Sequence, residues 1–262
     1  MTGIEYPSRP SNPLDLPGRV NLASPMAVLC DFDGPLVDVS ERYYRTYQLS
    51  LVDTQAAYEA EGITLPVQEL TKQQFWQMKQ ERVADAEIAL RSGLRSRQIE
   101  KFLENVHQRV NQPALLQQDQ LQPGVRWALA LLHARGINLA VVTLRCQMQA
   151  QQVLRDYGLD QLFTVIRGAP DELAAYPNYT EAKKQLLAEV LADCSHPPSQ
   201  TWLVGDTEAD VLAGQALGIP TIAVTCGIRS ASYLKQLRPT RIHGDLLSAA
   251  HYLNELTYLV RT

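Results

Sequence analysis

The chain has 262 residues, of which 45% are hydrophobic and 20% charged, and its formal net charge is −4. This is an ordinary globular mix without the basic excess that nucleic acid or an anionic bilayer would recruit, so neither partner is expected. No apolar run approaches the roughly 18 residues needed to span a membrane, and the N-terminus lacks the charged-then-apolar build of a secretion signal, which predicts a cytoplasmic protein.

Residues 1–25 carry Pro7, Pro10, Pro13, Pro17 and Pro25 with little periodicity, so an extended or disordered lead is expected before the fold begins at Met26. The apolar run Val28-Leu29-Cys30 then ends in Asp31-Phe32-Asp33-Gly34-Pro35. Residues i and i+2 of a strand point the same way, so Asp31 and Asp33 start on one side, and a turn at Gly34 can swing Asp33 over its neighbour. Two carboxylates this close repel. They are tolerated if a divalent cation neutralises them or if one keeps its proton.

From Ser40 to Gln120 the pattern is helical: Tyr43, Tyr44, Tyr47, then Phe75, Trp76, Lys79, then Ile88, Leu90, Ile99, Phe102, Val106. This predicts a helical insert at 40–120, its aromatics forming an internal core, between core segments 26–39 and 121–262. The polar stretch Gln117 to Gly124 reads as the return hinge. Beyond it come a helix over Val125–Ala134 capped by Gly136, a strand over Ile137–Thr143, a helix over Gln147–Tyr157 and a strand over Leu162–Arg167. Next are a helix over Thr180–Ala192, a strand over Trp202–Asp206, a helix over Ala209–Leu217 and a strand over Thr221–Thr225. Each parallel strand pair needs a crossover helix, so this alternation predicts an α/β fold, a doubly wound parallel sheet covered on both faces. Ligands of such sheets bind at the carboxyl ends of the strands, where Asp31, Asp33, Thr143 and Asp206 all fall.

Each of these residues also has an ordinary structural explanation. A lone Asp-x-Asp is commonly a turn, Asp206 could simply cap the helix that follows, Thr143 could be a strand threonine, and Lys183 could be solvated on a helix face. Cys30, Cys146, Cys194 and Cys226 lack CxxC spacing, which favours buried free thiols over a zinc site or disulfides.

Taken in order, four segments resemble the signature of the haloacid dehalogenase-like hydrolases. They are Asp31-Phe32-Asp33-Gly34-Pro35-Leu36-Val37-Asp38, then Val141-Val142-Thr143, then Lys183, and finally Gly205-Asp206-Thr207-Glu208-Ala209-Asp210. The resemblance runs from Met26 to the C-terminal helix and implies a Rossmann-like core with a helical cap of the C1 subgroup, similar to phosphoglycolate phosphatase-like proteins. It further implies Mg2+-dependent hydrolysis of a phosphomonoester on a small soluble metabolite through an aspartyl-phosphate. In that scheme Asp31 is the nucleophile. Asp33, kept protonated by a crowded negative field, is the acid and base, and its backbone carbonyl ligates metal. Asp206 and Asp210 complete the metal ligands, and Thr143 and Lys183 bind the phosphoryl oxygens. Lys184 competes with Lys183 for the last role. Arg45, Lys79 and Arg82 could meet a second anionic group on the substrate, as phosphoglycolate would offer.

Pro35 stands where Thr is usual, which the turn should tolerate. The presence of Asp33 argues against dehalogenase or phosphonatase chemistry, which needs no second carboxylate to protonate an alkoxide. Leu144 weakens a phosphosugar mutase reading. That mutase and a catalytically silent HAD-like binding protein remain the alternatives.

Overall fold

A computed structural model describes residues 26–170, 180–193 and 196–259. The expected lead at 1–25 and Cys194 lie outside the described residues. Strand β1 (Ala27–Cys30) is followed by β2 (Val37–Asp38) and five helices: α1 (Ser40–Glu59), α2 (Lys72–Gln80), α3 (Asp85–Arg91), α4 (Arg97–Arg109) and α5 (Pro113–Leu116). The chain returns through β3 (Gln120–Leu121), which pairs antiparallel with β2, Val37 opposite Leu121 and Asp38 opposite Gln120. Within the stretch expected as a polar hinge, Gln120–Leu121 is therefore one strand of a two-stranded neck, flanked by the buried polar side chains of Asp119 and Gln122.

The rest alternates: α6 (Val125–Ala134), β4 (Asn138–Cys146), α7 (Gln147–Asp156), β5 (Val165–Ala169), α8 (Thr180–Asp193), β6 (Thr201–Gly205), α9 (Glu208–Ala216), β7 (Thr221–Val224), α10 (Ala231–Gln236), β8 (Arg241–His243) and α11 (Leu246–Leu259). The six-stranded sheet has the order β5-β4-β1-β6-β7-β8, and every neighbouring pair is parallel. The doubly wound sheet is thus present. Its period of two is visible in β1: Val28 and Cys30 pack into the core shared with Leu129, Leu132 and Leu253, while Leu29 packs into the core on the other face with Leu187, Val190 and Ala213. Burying such a side chain stabilises the fold by about 1.5–3 kcal/mol, so a strand covered on both faces is secure without long flanking pairs.

Two boundaries differ from expectation. Residues Asp160–Leu162 form a short 3-10 turn, which delays β5 to Val165, and β4 continues past Thr143 to Cys146 with an irregularity in its pairing between Val142 and Cys146. α10 and β8 were not anticipated, because three- and six-residue elements carry too little periodicity to register. In the insert, Tyr47 stacks on Phe75 with ring centroids 4.9 Å apart and meets Phe102 edge-on at 6.1 Å, so these aromatics are internal packing. Leu90 falls on the exposed face instead. Among the described residues no helix is long and apolar enough to cross a membrane.

Candidate active site

From β1 the chain builds the sheet to one side through β4 and β5, then to the other through β6, β7 and β8. The reversal lies at β1 and β6, where a crevice opens beyond the strand ends. Asp31 is the first residue past β1, its N–H still donating to Val204 O at 2.8 Å, and Asp206 is the first past β6. Asp210 follows one turn into α9.

Carboxylate oxygens of Asp31, Asp206 and Asp210 lie within 4.8 Å of one another, all on buried residues. Lys183 reaches them from α8, its Nζ 2.8 Å from Asp31 Oδ1 and 2.7 Å from Asp210 Oδ1. Phe32 N–H donates to Asp31 Oδ1 at 2.7 Å, which together with Lys183 fixes the rotation of that carboxylate. Thr207, not Asp206, begins α9: its N–H and Oγ1 donate to Asp210 Oδ2 at 3.1 and 2.8 Å. Asp206 Oδ2 instead accepts from Ile228 N–H at 2.6 Å, and Asp206 Oδ1 is buried without a partner. Backbone closes on this carboxylate from two sides. A Cβ at Gly34, where φ is +97°, would lie 2.2 Å from Asp206 Cγ, and one at Gly227 would lie 2.0 Å from Asp206 Oδ2.

Burial first, and the charge of Asp210 next, push the Asp31 carboxyl up to about 7, against the pull of Lys183. Burial, Asp31 and Asp210 push Asp206 well above the usual carboxylate range. Burial would lower Lys183, but Asp210 and Asp31 outweigh it and hold its ammonium above the ordinary lysine range. Three carboxylates facing one ammonium leave a buried excess of negative charge, and this excess together with the unpartnered Asp206 oxygen fits a divalent cation. Hard oxygen donors without Cys or His suit Mg2+, which Asp31, Asp206 and Asp210 would hold.

These raised carboxyls give a measurable consequence. The folded protein holds protons at pH 6 that an ordinary carboxyl has already lost, so cation binding at that pH must expel them. Calorimetric titration with Mg2+ in two buffers of different ionisation enthalpy should reveal more proton release at pH 6 than at pH 8; equal release at both would contradict the raised carboxyls.

Asp33 does not join this cluster through its side chain. Its oxygens pair with two guanidiniums, Oδ2 with Arg42 Nη2 at 2.8 Å and Oδ1 with Arg145 Nη2 at 2.9 Å. The ion-pair partners of Asp33 are therefore cations, against the crowded negative field expected around it. Thr143 is buried in β4, where its Oγ1 accepts from Arg145 N–H at 3.0 Å. Lys184 lies on the outer side of α8, paired with Glu181 at 3.3 Å.

The cations expected near a second substrate anion are occupied elsewhere. Arg45 donates to Gln48 on an exposed helix face, Lys79 pairs with Asp85 at 2.7 Å, and Arg82 pairs with Glu208 at 2.5 Å. That last contact belongs to a clasp between α2 and the core. Arg229 holds Glu208 (Nε to Oε2, 2.7 Å) and donates to Lys79 O at 2.9 Å, while Ser230 N–H donates to Gln80 O at 3.0 Å. Burial pushes Glu208 up, but the bond and charge of Arg229 win and hold it below the usual range. Cys30 and Cys146 are buried free thiols as expected, whereas Cys226 is half-buried.

Sequence reasoning passed over Arg42, Asp119, Arg145, Glu208 and Arg229. Arg145 was findable, because it lies two residues beyond Thr143 on a strand and so shares its side. Arg42 was findable too, standing four residues before Thr46 and eight before Ser50 on the buried stripe of α1. Asp119 sits in a run of glutamines that gives no periodic signal.

A family model described as haloacid dehalogenase-like hydrolase matches residues 28–224. A phosphoglycolate phosphatase of Synechococcus elongatus is 27% identical over 232 residues, 87% of this chain and 98% of that protein. The pyrophosphatase PpaX of Halalkalibacterium halodurans is 32% identical over 116 residues, and that match spans 44% of this chain and about half of the relative, 52%. Among solved structures, a haloacid dehalogenase-like family hydrolase from Streptococcus pneumoniae superposes with a TM-score of 0.62 at 20% identity, covering 87% of this chain and 98% of its own, a likeness of fold.

Proposed function

The chain belongs to the haloacid dehalogenase-like hydrolases and is a phosphatase, and on that premise we propose that it hydrolyses a small soluble phosphomonoester with Mg2+ through an aspartyl-phosphate on Asp31. What carries the reading is the convergence of Asp31, Lys183, Asp206 and Asp210 from three separate stretches of chain onto one buried cluster with an unpartnered carboxylate oxygen.

Asp31 attacks phosphorus in line, its carboxylate already oriented by Phe32 N–H and Lys183. Lys183 places a compact positive charge beside the equatorial phosphoryl oxygens. Asp33 regains a proton at the end of each cycle from the water that attacks the aspartyl-phosphate, gives it to the ester oxygen of the next substrate as the P–O bond breaks, and is left as the carboxylate that Arg42 and Arg145 pair with. Thr143 offers its hydroxyl to a phosphoryl oxygen from the irregular end of β4. Bound Mg2+ would supply Lewis-acid polarisation of the phosphoryl group and, together with Lys183, balance the three carboxylates. The helices α1–α4 close over the crevice, excluding water and selecting the leaving group.

Phosphate release from a panel of metabolite phosphates, with phosphoglycolate and pyrophosphate included because two relatives carry those names, tests the proposal. Release from at least one monoester, lost on chelation and restored by Mg2+, is the expected result. A panel that stays silent with Mg2+ present overturns it.

A further inference from the structure

Asp33 belongs to a closed ring of charges. Besides holding its two oxygens, Arg42 and Arg145 both pair with Asp119: Arg42 Nε lies 2.9 Å from Asp119 Oδ1, and Arg145 Nη2 bonds Asp119 Oδ2. The side chains of Arg42, Arg145 and Asp119 are each 1% exposed, whereas that of Asp33 is 18% exposed and is the member that can reach a ligand. The four residues come from four places: the turn after β1, the start of α1, the segment between α5 and β3, and the irregular end of β4.

Desolvating four charges costs several kcal/mol for each one, which is repaid only by close pairing, and packed apolar groups would serve stability as well. The ring is also neutral, two guanidiniums against two carboxylates, so it has no excess charge with which to capture an anion. What it supplies is direction. Two residues from Asp33 lies the cluster of Asp31 and Lys183, whose ammonium would attract a loose carboxylate. With Oδ2 bonded to Arg42 and Oδ1 beside Arg145, the Asp33 carboxyl is restrained from turning into that cluster.

We infer that Arg42, Arg145 and Asp119 are positioning residues that aim the Asp33 carboxyl at the leaving-group oxygen, with Asp119 holding the two arginines in register. The inference rests on the reading of Asp33 as proton carrier. Arg42 and Asp119 enter and leave the helical insert at its neck, so the aim of the acid depends on how the insert is seated.

Leaving-group dependence tests this, because p-nitrophenolate departs without a proton and an alkoxide does not. Asp119→Asn should lower kcat/KM on the best alkyl phosphate of the panel by about a hundredfold, the cost of a roughly 1 Å misplacement, and lower it at least about tenfold less on p-nitrophenyl phosphate. Arg145→Met removes the guanidinium whose Nη2 meets both Asp33 and Asp119, and it should behave alike. The double variant Asp119→Asn/Asp33→Asn should be no slower than Asp33→Asn alone, since both act through one proton. Equal losses on the two substrates in both single variants, or additive losses in the double variant, would assign the ring to stability alone and overturn the inference. If Asp33→Asn itself proves indifferent to the leaving group, the proton-carrier reading falls and the inference with it.

Discussion

Asp31→Asn is expected to slow turnover of p-nitrophenyl phosphate by about 10^4-fold or more while the protein stays folded. Asparagine keeps an oxygen where Asp31 Oδ1 accepts from Phe32 N–H and faces Lys183, so the local geometry survives. It loses the nucleophile, because an amide oxygen cannot form the acyl phosphate that divides the displacement in two. The variant also carries a signature in stability. The Asp31 carboxyl titrates near 7 in the folded protein, chiefly through burial, and at about 3.8 when exposed, so the folded state binds the extra proton between those values. Metal-free wild type therefore loses stability as pH rises from about 4 to about 7, and Asp31→Asn should flatten that decline. Urea denaturation in chelator at pH 5 and pH 8 measures it. Retained turnover removes Asp31 as nucleophile; an unchanged pH slope removes the buried-carboxyl account.

Why the cluster was legible and the ring was not follows from the kinds of signal each leaves. Asp31 and Asp206 stand one residue past strands that are almost wholly apolar, so period and turn residues locate both, while Asp210 is reached only through the resemblance to the Gly-Asp-x-x-x-Asp motif. Lys183 leaves no such signal, since a lysine on a helix is ordinarily solvated, and it is reached through the resemblance, with Lys184 as its competitor. The parallel sheet, like Asp31 and Asp206, was legible from period: alternation of helix and apolar strand leaves few other topologies. The ring obeys no such period. Arg42 pairs across 77 residues with Asp119, and Arg145 across 26, joining elements whose proximity depends on how the insert folds back on its neck. The neck itself is two residues long on each side, too short to be distinguished from a loop. The pairing of Asp33 with two guanidiniums is a tertiary property, and reading its surroundings from Asp31 alone misses it.

Lys183 and Lys184 separate this reading most sharply, because adjacent helix positions point about 100° apart and only one can face the carboxylates. Lys183→Met removes the sole ammonium bonded to Asp31 and Asp210 and leaves like charges buried together; breaking such a buried pair costs about 3–5 kcal/mol. Lys184→Ala removes an exposed contact to Glu181 and should shift stability by no more than about 0.5 kcal/mol. The loss in Lys183→Met has a defined pH dependence. Without the ammonium the main opposition to the upward push on the Asp31 carboxyl is gone, so the folded variant takes up protons more readily and recovers stability as pH falls. Mg2+ should restore stability by replacing the missing charge, yet it should not restore turnover, because the positive charge beside the equatorial phosphoryl oxygens is still gone and that alone is worth on the order of 10^2–10^3 in rate. Denaturation at pH 5.5 and 8 with and without Mg2+, alongside turnover of p-nitrophenyl phosphate, distinguishes all of these. A Lys184→Ala protein that loses turnover beside an active Lys183→Met protein would transfer the phosphate-binding role to the outer lysine, and the buried cluster would then be an ion network with no part in the reaction.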